Sequence, residues 1–458
     1  MTTLFVGNTR TEEMVGELSA LSPADRLYGG FAALRLLWFA GSGDVLVLPY
    51  PPRPHYLAYI TAVTGADPGS LVLLCPPPGA LGIDLLTPDR IAEPHFREQV
   101  RVAVRDQGVD RVFAVYKDVP VTQLATAVRL AVPGHALSAQ GGDAFLNSKA
   151  AFRAFAAGAG VPIIDGLATA RPEEARAVVT QLLAAGHSAI LKREFAVGGT
   201  GNEVLSPVAG VPVVGTESAV VLADDAAVRN YFARRWDWLS AGGRHQVVIE
   251  RYLIGCDTLF GECAIEDDGP ELLGVGECVM SPVEIAEVIP AQGLGQAPRA
   301  ALVRACLQLS GVLHAIGYRG YVSIDAVLTP TGEIFITEWN ARLSGCTHLN
   351  LVVHRRLLKP EHQGRRVTLE QHDWVVPSFE AAVQRLDDAG LAFDRDTGTG
   401  VLLTSDVTPD KTVTYCMVAE NLTGARALER RLRTLFTEAE VDAAHDTVPP
   451  AGAQMSSA

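Results

Sequence analysis

The chain reads as a multidomain protein built from α/β and α+β units, and three observations predict this. Its 458 residues suffice for two to four domains with large buried cores. Its first third alternates short apolar runs with amphipathic ones, the pattern of parallel strands joined by helices. Its centre carries long strand-like stretches, among them an apolar hairpin set with acidic residues.

In chain order, "TLFVGN", "DVLVLPYP", "SLVLLCPPP" and "RVFAVYK" read as buried parallel strands ending in turn residues. "PHFREQVRVAVRDQG" reads as an amphipathic helix between two of them. This α/β domain is expected over residues 1–145, with a boundary near "GGDAFLNS" at 141–148. It holds no GxGxxG after its first strand and no GxxxxGK[ST], so it need not bind a nucleotide itself. A two-lobed core is expected over 146–360, with lobes at about 146–245 and 246–360. The first lobe opens with the helix "KAAFRAFAAGAG" and reads as a second α/β segment. The second holds "HQVVIERYLIGCDTLFGECAIE" and the hairpin "GYVSIDAVLTPTGEIFITEWNARLSG". From about 361 to 458, basic loop residues lead into "GVLLTSDVTPDKTVTYCMVAE" and the helix "ARALERRLRTLFTEAEV", a small α+β C-terminal domain. The tail "VPPAGAQMSSA" is expected to be disordered.

Composition removes several function classes. A net charge of −14 opposes nonspecific binding of nucleic acid, whose phosphates would be repelled. The longest apolar stretch, "GGFAALRLLWFAGSG", is interrupted by Arg35 and is too short to span a bilayer. "MTTLFVGNTR" lacks a basic region followed by an apolar core, and the 7 cysteines are scattered without a CxxC pair. A reduced, cytoplasmic setting is therefore expected, with no membrane partner and no zinc or disulfide framework. The number of associating chains is left open.

The hairpin carries the most chemistry. Closing "DAVLTPTGEIFITEWN" symmetrically on Thr331-Gly332 sets Asp325 opposite Glu338, with Cβ atoms about 5 Å apart. Asn340, two residues past Glu338, projects from the same face. Two opposed carboxylates repel, and a divalent cation between them turns that repulsion into a site. The all-oxygen donor set Asp325, Glu338 and Asn340 selects Mg²⁺ or Mn²⁺ over zinc. Trp339, between the two ligands, faces the other side and reads as packing. The competing reading is an acidic hairpin in solvent, against which the strongly apolar flanks argue.

Upstream, "AILKREFAVGGTGNEVL" ends an apolar run on Lys192 and continues into Gly198, Gly199, Thr200 and Gly201. Glycine-rich backbone can turn its N–H groups inward to cradle phosphate oxygens, to which Lys192 adds a point charge. Lys149 opens a helix after "LNS", an N-cap signal that also favours anions.

Lysine, glycine loop, hinge and carboxylate hairpin in this order resemble the ATP-grasp ligases over about 145–350. The resemblance implies a pre-ATP-grasp α/β domain, a two-lobed ATP-grasp core and a small C-terminal domain. It implies that Lys149, Lys192 and "GGTGN" contact the phosphates of ATP. In "VVIERYLIGCD" it implies that Glu250 meets the adenine amino group and the backbone of Arg251 and Leu253 bonds the ring. Asp257 would hold the ribose hydroxyls, although many relatives carry glutamate there. Asp325, Glu338 and Asn340 take the place of the metal triad, and Arg342 of an arginine that steadies the reacting groups. The layout is also similar to a narrower group, the peptide ligases of actinomycete natural-product pathways. That implies joining an unusual, guanidine-bearing amino acid, activated as an acylphosphate, to the amine of a peptide in antibiotic biosynthesis.

No side chain stands out as a general base; His245 and His348 read as structural. Glu284 and Glu287, in "CVMSPVEIAEVIPAQGLG", are candidates for lining the acceptor or cationic-substrate side, against the alternative of a solvated loop. Another acid–amine or dipeptide ligase, a small-molecule kinase and an ATP-binding scaffold remain as alternatives. A carboxylase would need a biotin or bicarbonate site that the sequence does not reveal.

Overall fold

The computed structural model describes residues 2–217, 219–437 and 439–440. "VPPAGAQMSSA" lies outside the described residues.

Four short strands form the first sheet: β1 (Thr3–Val6), β2 (Val45–Val47), β3 (Val72–Leu74) and β4 (Arg111–Ala114). They are parallel, in the order β3-β2-β1-β4, as the four apolar runs predict. Helix Pro94–Gln107 packs here through Phe96, Val100 and Val104, a spacing of four that keeps them on one face. Pro94 opens it, the Glu93 carboxylate accepts from the His95 N–H at 3.0 Å, and Gly108 at φ 63° ends it.

The second sheet contains β5 (Gly166–Thr169), β6 (Ala189–Arg193), β7 (Asn202–Ser206), β8 (Ala219–Val221) and β9 (Val247–Arg251), in the order β5-β9-β6-β7-β8. Only β7 and β8 run parallel, so the alternation read as α/β folds into a largely antiparallel sheet. Helices Pro172–Ala184 and Asp225–Leu239 pack on it through Val179, Leu183, Val228 and Phe232. Strand β9 lies just past the boundary expected at 245, yet it pairs between β5 and β6. Its apolar residues Val247 and Ile249 have their partners in this lobe's core.

The third sheet is antiparallel throughout. It comprises β10 (Asp257–Glu266), β11 (Gly269–Met280), β12 (Glu284–Ile289), β13 (Gly320–Leu328), β14 (Ile334–Asn340), β15 (Val367–Val375), β16 (Gly400–Leu403) and β17 (Thr412–Ala419). Their order is β14-β13-β10-β11-β12-β15-β17-β16, so strands from beyond residue 361 continue the sheet that holds the hairpin. In sequence the stretch of β15 reads as loop. Its polar run Glu370–Asp373 hides a strand whose Glu370 and Gln371 are buried and hydrogen-bonded to His348 and Tyr415. A wide π-helix, Leu349–Leu357, was likewise not anticipated. The helix expected from Ala425 spans Leu422–Leu432, starting three residues earlier because Asn421 caps it by accepting from the Gly424 N–H at 2.9 Å.

The hairpin pairs Asp325 with Glu338 as expected, but by a different route. The loop closes over Thr329–Glu333, where each of these two residues bonds the other's backbone or its neighbour's; the Thr329 N–H donates to the Glu333 carbonyl at 2.9 Å. Leu328 then faces Ile334 and Ala326 faces Ile336, a register that alone would put Asp325 opposite Thr337. A β-bulge at Thr337 shifts the pairing by one residue and restores Asp325 to Glu338.

One core cluster ties the first domain to the last. Trp38 donates its indole N–H to the Thr404 carbonyl at 3.2 Å, and the Tyr56 hydroxyl donates to the same oxygen at 3.0 Å. Trp38 is fully buried. Its replacement by alanine is expected to cost about 3–5 kcal/mol through cavity formation. Urea titration followed by circular dichroism should show the corresponding fall in midpoint.

Candidate active site

The opposed carboxylates organise the site. Asn340 Nδ2 donates to Asp325 Oδ2 at 3.0 Å and lies 3.5 Å from Glu338 Oε1. Ser323 Oγ donates to Asp325 Oδ1 at 3.2 Å. Burial, then the adjacent Glu338, pushes the Asp325 carboxyl up to about 8. Burial also works to raise Glu338, but the Lys149 and Lys192 cations outweigh it and hold that carboxyl below its ordinary value. One member of the pair thus favours its neutral form and the other its charged form. Trp339, one residue along, points the other way and packs against Phe152 and Phe155. Its ring N–H donates to the Leu146 carbonyl.

The two lysines approach from different elements. Lys149 is the first residue of helix Lys149–Gly158, which Ser148 caps by accepting from the Ala151 N–H at 3.1 Å. Its Nζ stands 3.2 Å from Glu338 Oε2 and 3.2 Å from the Ala196 carbonyl. Lys192, on β6, is only 7% exposed, and its Nζ lies 2.8 Å from Glu250 Oε2. The bulged Thr337 carbonyl is 3.5 Å from the same Nζ, so the irregularity in β14 aims a backbone oxygen at the lysine.

Glu250 sits on β9, 1% exposed, with Arg153 against one carboxylate oxygen and Lys192 against the other. Its side chain therefore serves as counter-ion to two buried cations. Arg251 donates its backbone N–H to the Asp165 carbonyl at 3.0 Å. Arg251 and Leu253 line the cavity; Asp257 is exposed and does not, although its neighbour Thr258 does. Side chains alternate along β10, so only one of the two can face inward.

The glycine loop joins β6 to β7. Gly198 and Gly199 adopt φ of 59° and 75°, and a Cβ on Gly199 would come 2.7 Å from the Gly215 carbonyl oxygen. Both glycines line the cavity. Thr200 and Gly201 instead close the turn: Thr200 Oγ1 donates to the Val197 carbonyl at 2.8 Å, and the Gly201 carbonyl accepts from the Arg193 N–H at 2.9 Å.

A single cavity of about 500 Å³ connects these groups, with Lys192, Glu250, Asp325, Glu338, Asn340 and Arg342 on its wall. Arg342 Nη1 donates to Asn147 Oδ1 at 2.5 Å, and burial lowers its guanidinium below the ordinary range. The cavity extends to Glu284 and Glu287, to Arg10 and Arg35, which no sequence signal singles out, and to His348, which reads from sequence as structural. Arg10 and Arg35 come from the first domain and carry no local motif. His348 is 1% exposed, with Nε2 2.8 Å from Glu370 Oε1, a pairing across 22 residues that no spacing rule reveals.

Among the described residues, no group of three or more histidines, cysteines, aspartates or glutamates is placed to hold a metal. The hairpin supplies two carboxylates and an amide, a set that fits an ion retaining water and phosphate oxygens in its shell rather than an all-protein cage.

The Arg153–Glu250–Lys192 arrangement has a measurable consequence. Arg153→Met leaves the buried Glu250 with one cation and is expected to destabilise the protein by about 3–5 kcal/mol. Chemical denaturation at neutral pH checks this; an unchanged midpoint would show that Lys192 alone neutralises the carboxylate.

The comparisons with known proteins match three stretches of the chain. Residues 33–130 match the pre-ATP-grasp domain family, and 148–350 match the carbamoyl-phosphate synthase L chain, ATP binding domain. Residues 381–432 match the PGM1 C-terminal domain. Among curated proteins, none matches the sequence. Similar solved structures include N5-carboxyaminoimidazole ribonucleotide synthetase from Thermus thermophilus, 14% identical with a TM-score of 0.56, covering 96% of this chain and 99% of that one. The biotin carboxylase complex from Campylobacter jejuni is 15% identical with a TM-score of 0.55, covering 93% and 89%. The biotin carboxylase domain of Hydrogenobacter thermophilus 2-oxoglutarate carboxylase, crystallised with MgADP and bicarbonate, is 14% identical with a TM-score of 0.57, covering 94% and 89%. At these identities the likeness speaks for the fold. Together with the family matches, it shows a chain that shares the fold of these structures, with a pre-ATP-grasp match, an ATP-binding-domain match and a small C-terminal match in that order.

Proposed function

We propose that the protein is an ATP-dependent carboxylate–amine ligase, ADP-forming, that makes an amide bond through an acylphosphate. The observation that carries this reading is the continuity of one cavity. Its wall carries Lys192 and the glycine loop beside the carboxylate hairpin, and also Arg10, Arg35, Glu284 and Glu287. A chamber for an acid and an amine thus adjoins the place suited to a nucleotide.

In this reading a substrate carboxylate oxygen attacks the γ-phosphorus of ATP, ADP departs, and an acylphosphate forms. The amine nitrogen then attacks the acyl carbon, phosphate leaves, and the nitrogen gives up a proton. Lys149 and Lys192 neutralise phosphate charge, and Gly198 and Gly199 let the loop backbone approach the phosphates closely. Thr200 and Gly201 hold that loop closed, while Arg251 and Leu253 border the base. Asp257, exposed and outside the cavity lining, drops out of this reading as the ribose contact. Asp325, Glu338 and Asn340 would hold Mg²⁺ or Mn²⁺, which when bound offsets charge on phosphate oxygens. Arg342 stabilises charge gathering on the acyl oxygens, and the cavity walls keep water from the acylphosphate.

The finer reading, which rests on resemblance, is a peptide ligase of an actinomycete natural-product pathway. The peptide ligase of pheganomycin biosynthesis is the nearest suggestion, joining a guanidine-bearing amino acid to a peptide's N-terminus in antibiotic biosynthesis. Cytoplasmic placement belongs to this reading too; among the described residues no helix is long and apolar enough to cross a membrane.

ADP release that requires both an acid and an amine, with the coupled product seen by mass spectrometry, is the expected result with ATP, Mg²⁺ and pooled acids and peptides. Release with one substrate alone would indicate a kinase, and binding of ATP without release a scaffold. In the productive assay, Glu338→Gln is expected to lower kcat about a hundredfold or more while the protein stays folded.

A further inference from the structure

Beyond the carboxylate hairpin, the same sheet presents a second set of opposed acids. Glu287 on β12 faces Cys278 on β11 and Glu370 on β15, so Glu287 and Glu370 are cross-strand partners. Like charges so placed repel. Glu370 is relieved: His348 Nε2 lies 2.8 Å from its Oε1, and Thr404 Oγ1 donates to that oxygen at 2.6 Å. Glu287 is only 7% exposed, and its Oε2 has no hydrogen-bond partner among the described residues. Arg35, whose charge acts on Glu287, spends one arm on the Gly345 carbonyl at 3.0 Å. Glu284 stands beside Glu287 and lines the cavity with it. Burial pushes both side chains above their ordinary range, Glu287 the further because Glu284 and Glu370 add to the rise there.

The same cavity is also lined by Arg10 and Arg342, so its wall carries both signs of charge. A buried carboxylate with an unfilled oxygen gains most from a cation that brings its own hydrogen-bond donors.

We propose that Glu287, assisted by Glu284, is a subsite for a cationic nitrogen, an ammonium or guanidinium group, on the substrate that enters this cavity. The proposal rests on the ligase reading only in taking this cavity as the substrate chamber. Gly345 leaves the approach open, since a Cβ there would stand 3.0 Å from Glu287 Oε1.

Calorimetric titration of the full chain without nucleotide tests it. L-Arginine, agmatine and L-lysine are the cationic probes, and L-citrulline is the neutral isostere of arginine. The expected result is binding of at least one cation, with arginine favoured over citrulline about tenfold or more, a preference that Glu287→Gln removes. Glu284→Gln, at the more exposed member of the pair, should weaken the preference without unfolding the protein. Mg·ATP affinity, titrated separately, should stay unchanged in both variants. Equal binding of arginine and citrulline, a preference that survives Glu287→Gln in folded protein, or no binding by any of the three cations would overturn the subsite. Because no turnover is measured, cation selectivity in a chain that releases no ADP would defeat the ligase reading and leave this one standing.

Discussion

Two carboxylates held face to face on adjacent strands repel, and much of the core is arranged around that repulsion. Asp325 and Glu338 are kept in register by hairpin β13–β14, yet the register needs a bulge at Thr337 to bring them opposite. Around them gather Asn340 and Ser323 as hydrogen-bond donors and Lys149 as a counter-charge. Lys192 adds its charge from the other lobe while being balanced by Glu250, which Arg153 also holds. The result is a chain of alternating charge running from the hairpin into the second sheet. Buried charges of this kind persist only when each has a partner, so the lobes are coupled electrostatically as well as by packing.

The acidic row further along the same face of the eight-stranded sheet follows the same logic with a different outcome. Glu262, fully buried, is satisfied by Thr347, Asn350 and Ser344. Glu370 is satisfied by His348 and Thr404. Glu287, between them in the sheet, keeps one oxygen unfilled. A core built only for stability would place an apolar side chain there, since an incompletely bonded buried carboxylate costs free energy. Its position on the cavity wall supplies the reason for retaining it. The first domain contributes to this cavity through Arg10 and Arg35, so it forms part of the wall even though it carries no phosphate-binding motif.

What could be read locally came through well. The strand runs of the first domain and the N-cap before Lys149 are short-range signals, and the structure contains them. The Asp325–Glu338 pairing was legible because turn chemistry and alternation constrain a hairpin tightly, although the bulge was not, since nothing in "EIFITEWN" distinguishes Thr337 as the extra residue. Strand β15 was missed because buried Glu370 and Gln371 look like surface residues until their partners are known. Asp257 shows the converse: a motif position fixes a residue in sequence, while strand alternation decides which way it faces.

By itself, then, the sequence determined the elements and the donor types: opposed carboxylates with an amide, lysines at the ends of a strand and a cap, and glycines where positive φ is required. These depend on interactions within a few residues. Only the tertiary structure decided which charges meet. Lys149 reaches Glu338 across 189 residues, and Arg10, Arg35 and His348 join one cavity from separate domains. Coulombic and hydrogen-bond partnerships act over a few ångströms in space and carry no signature along the chain.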